Sequence, residues 1–213
     1  MTPNEITTLI ASNLDKELDM PFKLQLMERV KYWRSRLLVN TVNKDPFQRR
    51  FFKQTLYLTM EPSSKIRCAS LVNIPVSATQ VAVPQEVIAG SVQFDYVGGA
   101  DGSSPFQQLQ AGTELYLSSG KFYPLCGHYE FINRFIVTDK ERLPLIRIDA
   151  IFDDPQLIQQ LSAACTGQTC DTWNQEFPVN NQIMQLIVQS ILQVDYNRAE
   201  REDTPQIEVN NTK

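Results

Sequence analysis

The sequence predicts an α+β fold, with an N-terminal helical pair, a central mostly antiparallel β-sheet, and a C-terminal helix with an extended tail. Three observations carry this. Apolar residues recur at helical pitch as far as Asn43, the period changes to two near Gln54, and a helical period returns after Asp153. Residues 1–53 then form a helical region, 54–175 a β-rich region with one helix, and 176–213 a C-terminal helix and polar tail, all in one structural unit.

Thr2 or Asn4 can cap a first short helix carrying Ile6, Leu9, Ile10 and Leu14 at helical spacing. The long helix that follows, Pro21 to Asn43, organises the chain. Phe22, Leu26, Val30, Trp33 and Leu37 form one apolar stripe, Asp19 can cap it, and Pro21 suits a first helical position. Arg29, Lys31, Arg34 and Arg36 are expected on its cationic remainder, and Leu24, Met27 and Leu38 form a second, weaker apolar line. A helix apolar on two sides is expected to touch two different things. Asp45 and Pro46 then open one further turn through Arg50.

Alternation from Gln54 to Met60 predicts a strand, with a turn at Pro62-Ser63-Ser64 and a partner strand from Ile66 to Ile74, ending at Pro75. Ser91–Val97 and Thr113–Leu117 read as strands, and the glycines of GGADGSSP as a flexible hairpin tip. Tyr129–Thr138 and Leu145–Phe152 are expected to pair with each other across a charged turn at Asp139–Arg142. Asp153-Asp154-Pro155 signals a helix start running towards Cys165. The last helix spans about Val179 to Tyr196, its stripe being Ile183, Ile187, Ile191 and Val194. Phe177–Val194 holds no charged residue, which fits either a core helix or one packed between subunits. From Asn197 the chain is polar and acidic, and reads as a tail that burial within its own domain would not order. Its alternating Ile207-Glu208-Val209 fits a strand added to a neighbouring sheet.

A hydrophobic share of 42% and a charged share of 21% suit a globular protein with a substantial core. The net charge of −4 hides a division: residues 1–70 carry +5 and residues 71–213 carry −9. Such polarity is ordinary solvated surface, or the charge pattern of a subunit whose head meets the tail of its neighbour. MTPNEITTLI has no basic region leading into an apolar one, and no apolar run approaches the roughly 20 residues of a membrane span, so a soluble protein is expected. Cys68, Cys126, Cys165 and Cys170 are accordingly expected as free thiols without metal.

No catalytic constellation emerges, and neither an enzyme nor a cofactor is expected. The single histidine, His128, stands two residues from Cys126, where a nucleophile and its base would crowd one strand or turn rather than face each other. The glycine-rich loop leads to Pro105 instead of a helix, so its amides would not converge on an anion. Asp153 and Asp154 are better explained as capping than as an acid–base pair. The sharpest feature is a basic segment, Lys44, Arg49, Arg50 and Lys53, interleaved with Phe47, Phe51 and Phe52, of which Phe52 is expected in the core. Cations with aromatics suit an acidic protein surface or passing DNA, although a pI near 5.1 argues against a dedicated nucleic-acid binder.

The stretches MTPNEI…LDMPF, RVKYWRSRLL, KDPFQRRFFKQTL and LPLIRIDAIFDDPQ together resemble the neck proteins of crAss-like tailed bacteriophages. These are ring or adaptor subunits between portal and tail. The resemblance is one of overall pattern over most of the chain, without a catalytic or ligand motif. It implies a virion structural protein, assembled in the bacterial cytoplasm into a closed homo-oligomeric ring, commonly twelvefold, around the DNA exit channel. Portal and other neck proteins would be its partners, with non-specific contact to packaged DNA and no membrane. Lys44, Arg49, Arg50 and Lys53 are then candidates for contact with a partner or DNA. Ile183, Ile187, Ile191, Val194, Ile207 and Val209 are candidates for the subunit interface. The competing class is a soluble phage-encoded binding or regulatory module acting as a monomer or dimer.

Overall fold

A computed structural model describes residues 1–67, 72–87, 93–109, 127–138, 143–162 and 171–202. Helices α1 (Pro3–Ser12) and α2 (Met20–Lys44) lead through a 3₁₀ turn at Pro46–Gln48 and the short α3 (Arg49–Phe52) into the sheet. The strands are β1 (Gln54–Arg67), β2 (Val72–Thr79), β3 (Tyr96–Gly99), β4 (Gln107–Gln108), β5 (His128–Ile132), β6 (Phe135–Thr138) and β7 (Leu145–Ala150). Helices α4 (Pro155–Leu161) and α5 (Asn181–Glu202) close the described chain. The fold is α+β, with sheet order β3-β7-β1-β2-β6-β5-β4 and every pairing antiparallel except that of β4 with β5.

Local chemistry sets the helix starts. Thr2 and Glu5 form a reciprocal capping box, Asp19 accepts from the Phe22 amide, and Asp154 accepts from the Gln156 and Leu157 amides ahead of Pro155. Asp45 caps the 3₁₀ turn, and Asn180 accepts from the Ile183 amide to start α5. Each cap is worth about 1 kcal/mol. Burial contributes more, since Leu26, Val30 and Leu38 of α2 are wholly buried at about 1.5–3 kcal/mol each.

The sheet differs from expectation in its pairing. Tyr129–Thr138 is itself a hairpin, β5 and β6, turning at Asn133 and Arg134 with φ of 51° and 70°. Positive φ at both central residues suits a tight two-residue connection. The Arg134 carbonyl accepts from the Val83 amide (2.7 Å) and its Nε donates to the Val83 carbonyl (3.1 Å), which holds a bulky residue there. β7 therefore pairs with β1 and β3, not with β6. Pro62-Ser63-Ser64 is not a turn either. β1 runs straight through it to Arg67, and β2 runs through Pro75. Both prolines are accommodated because β7 pairs β1 only over Gln54–Thr59 and β6 pairs β2 only at Ser77 and Ala78, so one edge of each strand is open at its proline.

Gly98 and Gly99 belong to β3 rather than to a flexible loop. A Cβ on Gly98 would lie 2.3 Å from the Ser104 carbonyl oxygen, so close approach requires glycine there, while Gly102 at φ 73° makes the turn. Of the expected strand at 91–97, residues 91 and 92 lie outside the described residues, 93–95 are not strand, and Tyr96 and Val97 begin β3. The expected strand at 113–117, the turn at 139–142 and all four cysteines lie outside the described residues.

Two cores result. One gathers α1, α2 and α5 with Phe52, Ile151 and Phe177; the other lies under the sheet, from Leu56, Leu58, Ile146 and Ile148 to Phe152 and Ile158 of α4. The buried face of α2 is not quite the predicted stripe. Its fully buried row is Lys23, Leu26, Met27, Val30, Arg34, Leu38 and Val42, with Phe22, Trp33 and Leu37 at the flank. Met27 and Leu38 share this core instead of forming a second face, and Leu24 is exposed.

Arg34, predicted on the cationic surface, is instead 0% exposed at the join between the cores. Its Nη1 donates to the Phe152 carbonyl (2.8 Å) and its Nε to the Pro178 carbonyl (3.1 Å), with the guanidinium 5.5 Å from the Phe177 ring centroid. Burial pushes its pKa down to about 10, against the attraction of Asp153 and Asp154, so it stays charged at neutral pH. Lys31 donates to Asp154 (2.7 Å), and Ser35 donates to Asp153. One turn of α2 therefore holds the segment leading from β7 into α4. Arg34→Ala is expected to cost about 2–6 kcal/mol, at about 1–3 kcal/mol for each of the two carbonyls left without a donor. Arg34→Lys should also destabilise, because a single ammonium does not reproduce the fork. Urea denaturation checks both, and an Arg34→Ala midpoint equal to wild type would contradict the assignment.

Candidate functional site

The basic segment lies between α2 and β1 and divides into two pairs. Arg49 is buried, and its Nε donates to Asp95 at 2.7 Å with side chains 10% and 22% exposed. Lys53 lies 3.4 Å from Asp149. These two cations therefore have internal partners, which corrects their assignment to partner or DNA contact for Arg49 outright and weakens it for Lys53. The acids they meet come from positions that neighbouring sequence does not connect to them.

Asp149 is the centre of this internal network. β1 and β7 place it opposite Thr55, whose hydroxyl donates to it at 2.8 Å, and Arg147 grips it through Nε (3.0 Å) and Nη2 (2.9 Å). Burial alone would raise its pKa, but the hydrogen bonds from Arg147 and Thr55 and the charges of Arg147 and Lys53 outweigh that and hold it below the usual carboxylate value. The alternation in Ile146-Arg147-Ile148-Asp149 puts Arg147 and Asp149 on one face, and that was the legible signal for this missed site.

Lys44 and Arg50 are exposed, and Lys53 is partly so despite its contact with Asp149. Beside them Phe47 is 78% and Phe51 59% exposed, and the Arg50 guanidinium sits 4.7 Å from the Phe51 ring centroid. Phe52, by contrast, is in the core, as expected. Pro46 and the Asp45 cap fix this geometry, since Asp45 accepts from both the Phe47 amide (3.1 Å) and Gln48 Nε2 (3.2 Å). Two solvent-facing phenyl rings with two cations make an amphipathic patch suited to a ligand that is both apolar and acidic.

The expected interface residues of α5 separate in the same way. Ile183, Ile187 and Ile191 are 2%, 0% and 1% exposed within the chain's own helical core, so they have no surface to offer a neighbouring subunit. The amide-rich, uncharged stripe reflects that core. Val194 is 51% exposed and remains available, while Ile207 and Val209 lie outside the described residues. The helix itself continues past Tyr196 to Glu202, because Arg198, Ala199, Glu200, Arg201 and Glu202 are good helix formers even without apolar anchors.

Elsewhere, a groove of about 590 Å³ runs between α2 and the segment at Gln85–Val87, floored by Asp153 and Asp154. Lys31 spans it to Asp154, and burial, which would lower the Lys31 pKa, is outweighed by Asp154 and Glu28, which hold it above the usual lysine value. Among the described residues no three His, Cys, Asp or Glu side chains converge as a metal site, and no helix is long and apolar enough to cross a membrane. No protein-family model matches the chain, and no curated protein is significantly similar to it.

The Asp149 network sets a pH dependence. With the folded pKa below the unfolded value near 3.9, its contribution is fully present above that value and is lost as the pH falls through the folded one. Asp149→Asn should lower stability at pH 7 and flatten the acid limb of the urea midpoint against pH. An acid limb as steep as wild type would show that other carboxylates carry it.

Proposed function

We propose that the chain is a non-enzymatic virion structural protein, a ring or adaptor subunit of the head-to-tail connector between the portal and tail of a phage. The observation that carries this reading is where the four stretches of resemblance fall. RVKYWRSRLL supplies Lys31, Arg34 and Ser35, which meet Phe152, Asp153 and Asp154 of LPLIRIDAIFDDPQ. KDPFQRRFFKQTL supplies Lys53 and Thr55, which meet Asp149 of the same stretch. MTPNEI…LDMPF supplies the caps of α1 and α2. The resembling residues are therefore those that hold the scaffold, as expected where shape and contact surface, rather than a reactive group, are the function.

The division of charge supports head-to-tail packing, in which the basic, aromatic head of one subunit faces the acidic part of the next and closes a ring. The place of action is the neck of the virion, reached by assembly in the host cytoplasm.

Sedimentation at micromolar concentration, alone and with portal protein, tests the reading. A fast species at least in the presence of portal is expected. The double variant Lys44→Glu, Arg50→Glu should weaken its formation by about tenfold or more, two like-charge reversals at one contact, while leaving the circular dichroism spectrum unchanged. A chain that stays monomeric or dimeric under both conditions is instead a soluble binding module.

A further inference from the structure

We infer that the turn between α1 and α2 docks on the Phe47–Phe51 patch of a second copy of this chain, with Leu18 and Met20 against the two phenyl rings and Asp15 and Glu17 facing Lys44 and Arg50. The inference rests on the ring reading and names the contact that would close the ring. Leu18 at 96% and Phe47 at 78% are the two most exposed large apolar side chains among the described residues. Met20 (56%) stands near the first and Phe51 (59%) near the second in sequence. The two pairs lie at opposite ends of α2, which at 1.5 Å per residue is about 37 Å long. The helix keeps the two surfaces apart within one chain. They can meet only between copies, as a heterologous contact that repeats from subunit to subunit.

Charge selects this occupant. Residues 15–20 are all exposed, and Leu18 stands among Asp15, Glu17 and Asp19. Asp19 is engaged by the Phe22 amide, and Lys16, the cation of the turn, lies 4.8 Å from the Phe22 ring centroid. Around Phe47 stand the exposed Lys44 and Arg50, with Lys53 partly exposed but held by Asp149, while Asp45 is engaged by the Phe47 amide and Gln48. Two carboxylates and two apolar side chains therefore meet two cations and two rings. Either surface set against its own kind would bring like charges together. A DNA strand would account for the cations of the patch but not for the acidic, apolar turn at the other end of α2. Both surfaces are already ordered. In the turn the Lys16 amide donates to the Ala11 carbonyl (3.0 Å) and the Asp19 amide to the Lys16 carbonyl (3.2 Å). The Asp45 cap fixes the patch, with Arg50 stacked on Phe51. Such surfaces lose little further entropy on docking.

Two full-length variants test it by complementation. Leu18→Ser with Met20→Ser removes the apolar pair of the turn and keeps the patch, and Phe47→Ser with Phe51→Ser does the reverse. All four side chains are exposed, so the circular dichroism spectra should match wild type. In sedimentation at submillimolar concentration, wild type should form species larger than a dimer. Each variant alone should associate at least about tenfold more weakly. An equimolar mixture of the two should form a one-to-one dimer and grow no further, because each copy keeps one intact surface. A mixture that stays monomeric overturns the inference, as does either variant associating like wild type on its own. So does tight binding of an oligo-dT strand by the patch-intact variant beside a monomeric mixture, which assigns the patch to DNA. Glu17→Arg or Arg50→Glu alone should also weaken association, and both in one chain should restore it, a readout that misfolding would not give; a double variant no better than the singles contradicts the docking. Portal-dependent assembly is read separately. Wild type that joins portal beside a monomeric mixture sinks the docking alone, and a dimerising mixture beside wild type that never joins portal supports the docking and sinks the neck reading.

Discussion

The structure depends on one buried cation. Arg34 lies where two cores meet, one of apolar side chains from α1, α2 and α5 and one from the sheet with α4, and Lys31 and Ser35 reach Asp154 and Asp153 beside it. Its two hydrogen bonds end on carbonyls that precede the two C-terminal helices: Phe152 ahead of α4 and Pro178 ahead of α5. A leucine there would pack but would leave both carbonyls without their donor, at about 1–3 kcal/mol each. The guanidinium also faces a cost of its own, because Nη2 has no hydrogen-bond partner among the described residues. Asp153 and Asp154 offset part of it through their charge. The arrangement therefore favours specificity of docking over raw stability.

The sheet is joined by a comparable device. β1 pairs with β7 over its first six residues and with β2 over the remainder, so one strand belongs to two halves in succession. At its start stand Lys53 and Thr55, both directed to Asp149. The basic segment thus serves two purposes. Arg49 and Lys53 tie the helix-to-strand passage to Asp95 and to the buried Asp149, while the 3₁₀ turn and α3 leave Phe47, Arg50 and Phe51 exposed. A rigid attachment on one side gives a defined surface on the other, which the proposed ring subunit would need.

Features with a local cause were legible in the sequence. Of the capping candidates, Thr2 rather than Asn4 caps α1, and Asp19, Asp45 and Asp154 cap as expected because each acts within three residues of itself, whereas Asp153, also expected as a cap, accepts from Ser35. The change of period located β1 and β7, and with them the fold class. What failed depended on distant partners. Arg34 looked like surface because the carbonyls it serves lie 118 and 144 residues away. Pro62 looked like a turn because nothing local says that one edge of β1 is open there. Asn133-Arg134 was overlooked as a turn because an arginine at positive φ is held by Val83, far off in sequence. The site was half legible: the cations and phenylalanines stood out, but their division between core and surface required Asp95 and Asp149.

The central claim is that the two cores form one cooperative unit through the α2 contact. Native-state hydrogen exchange tests it most directly. The amides of Val87 and Asp153, bonded to the Ile151 and Gln85 carbonyls beside that contact, should exchange with the same opening free energy as Leu56 and Ile148 in the centre of the sheet and Val30 in the centre of α2. The result that would contradict the account is two separate openings, with the α2 amides released while those of the sheet remain protected.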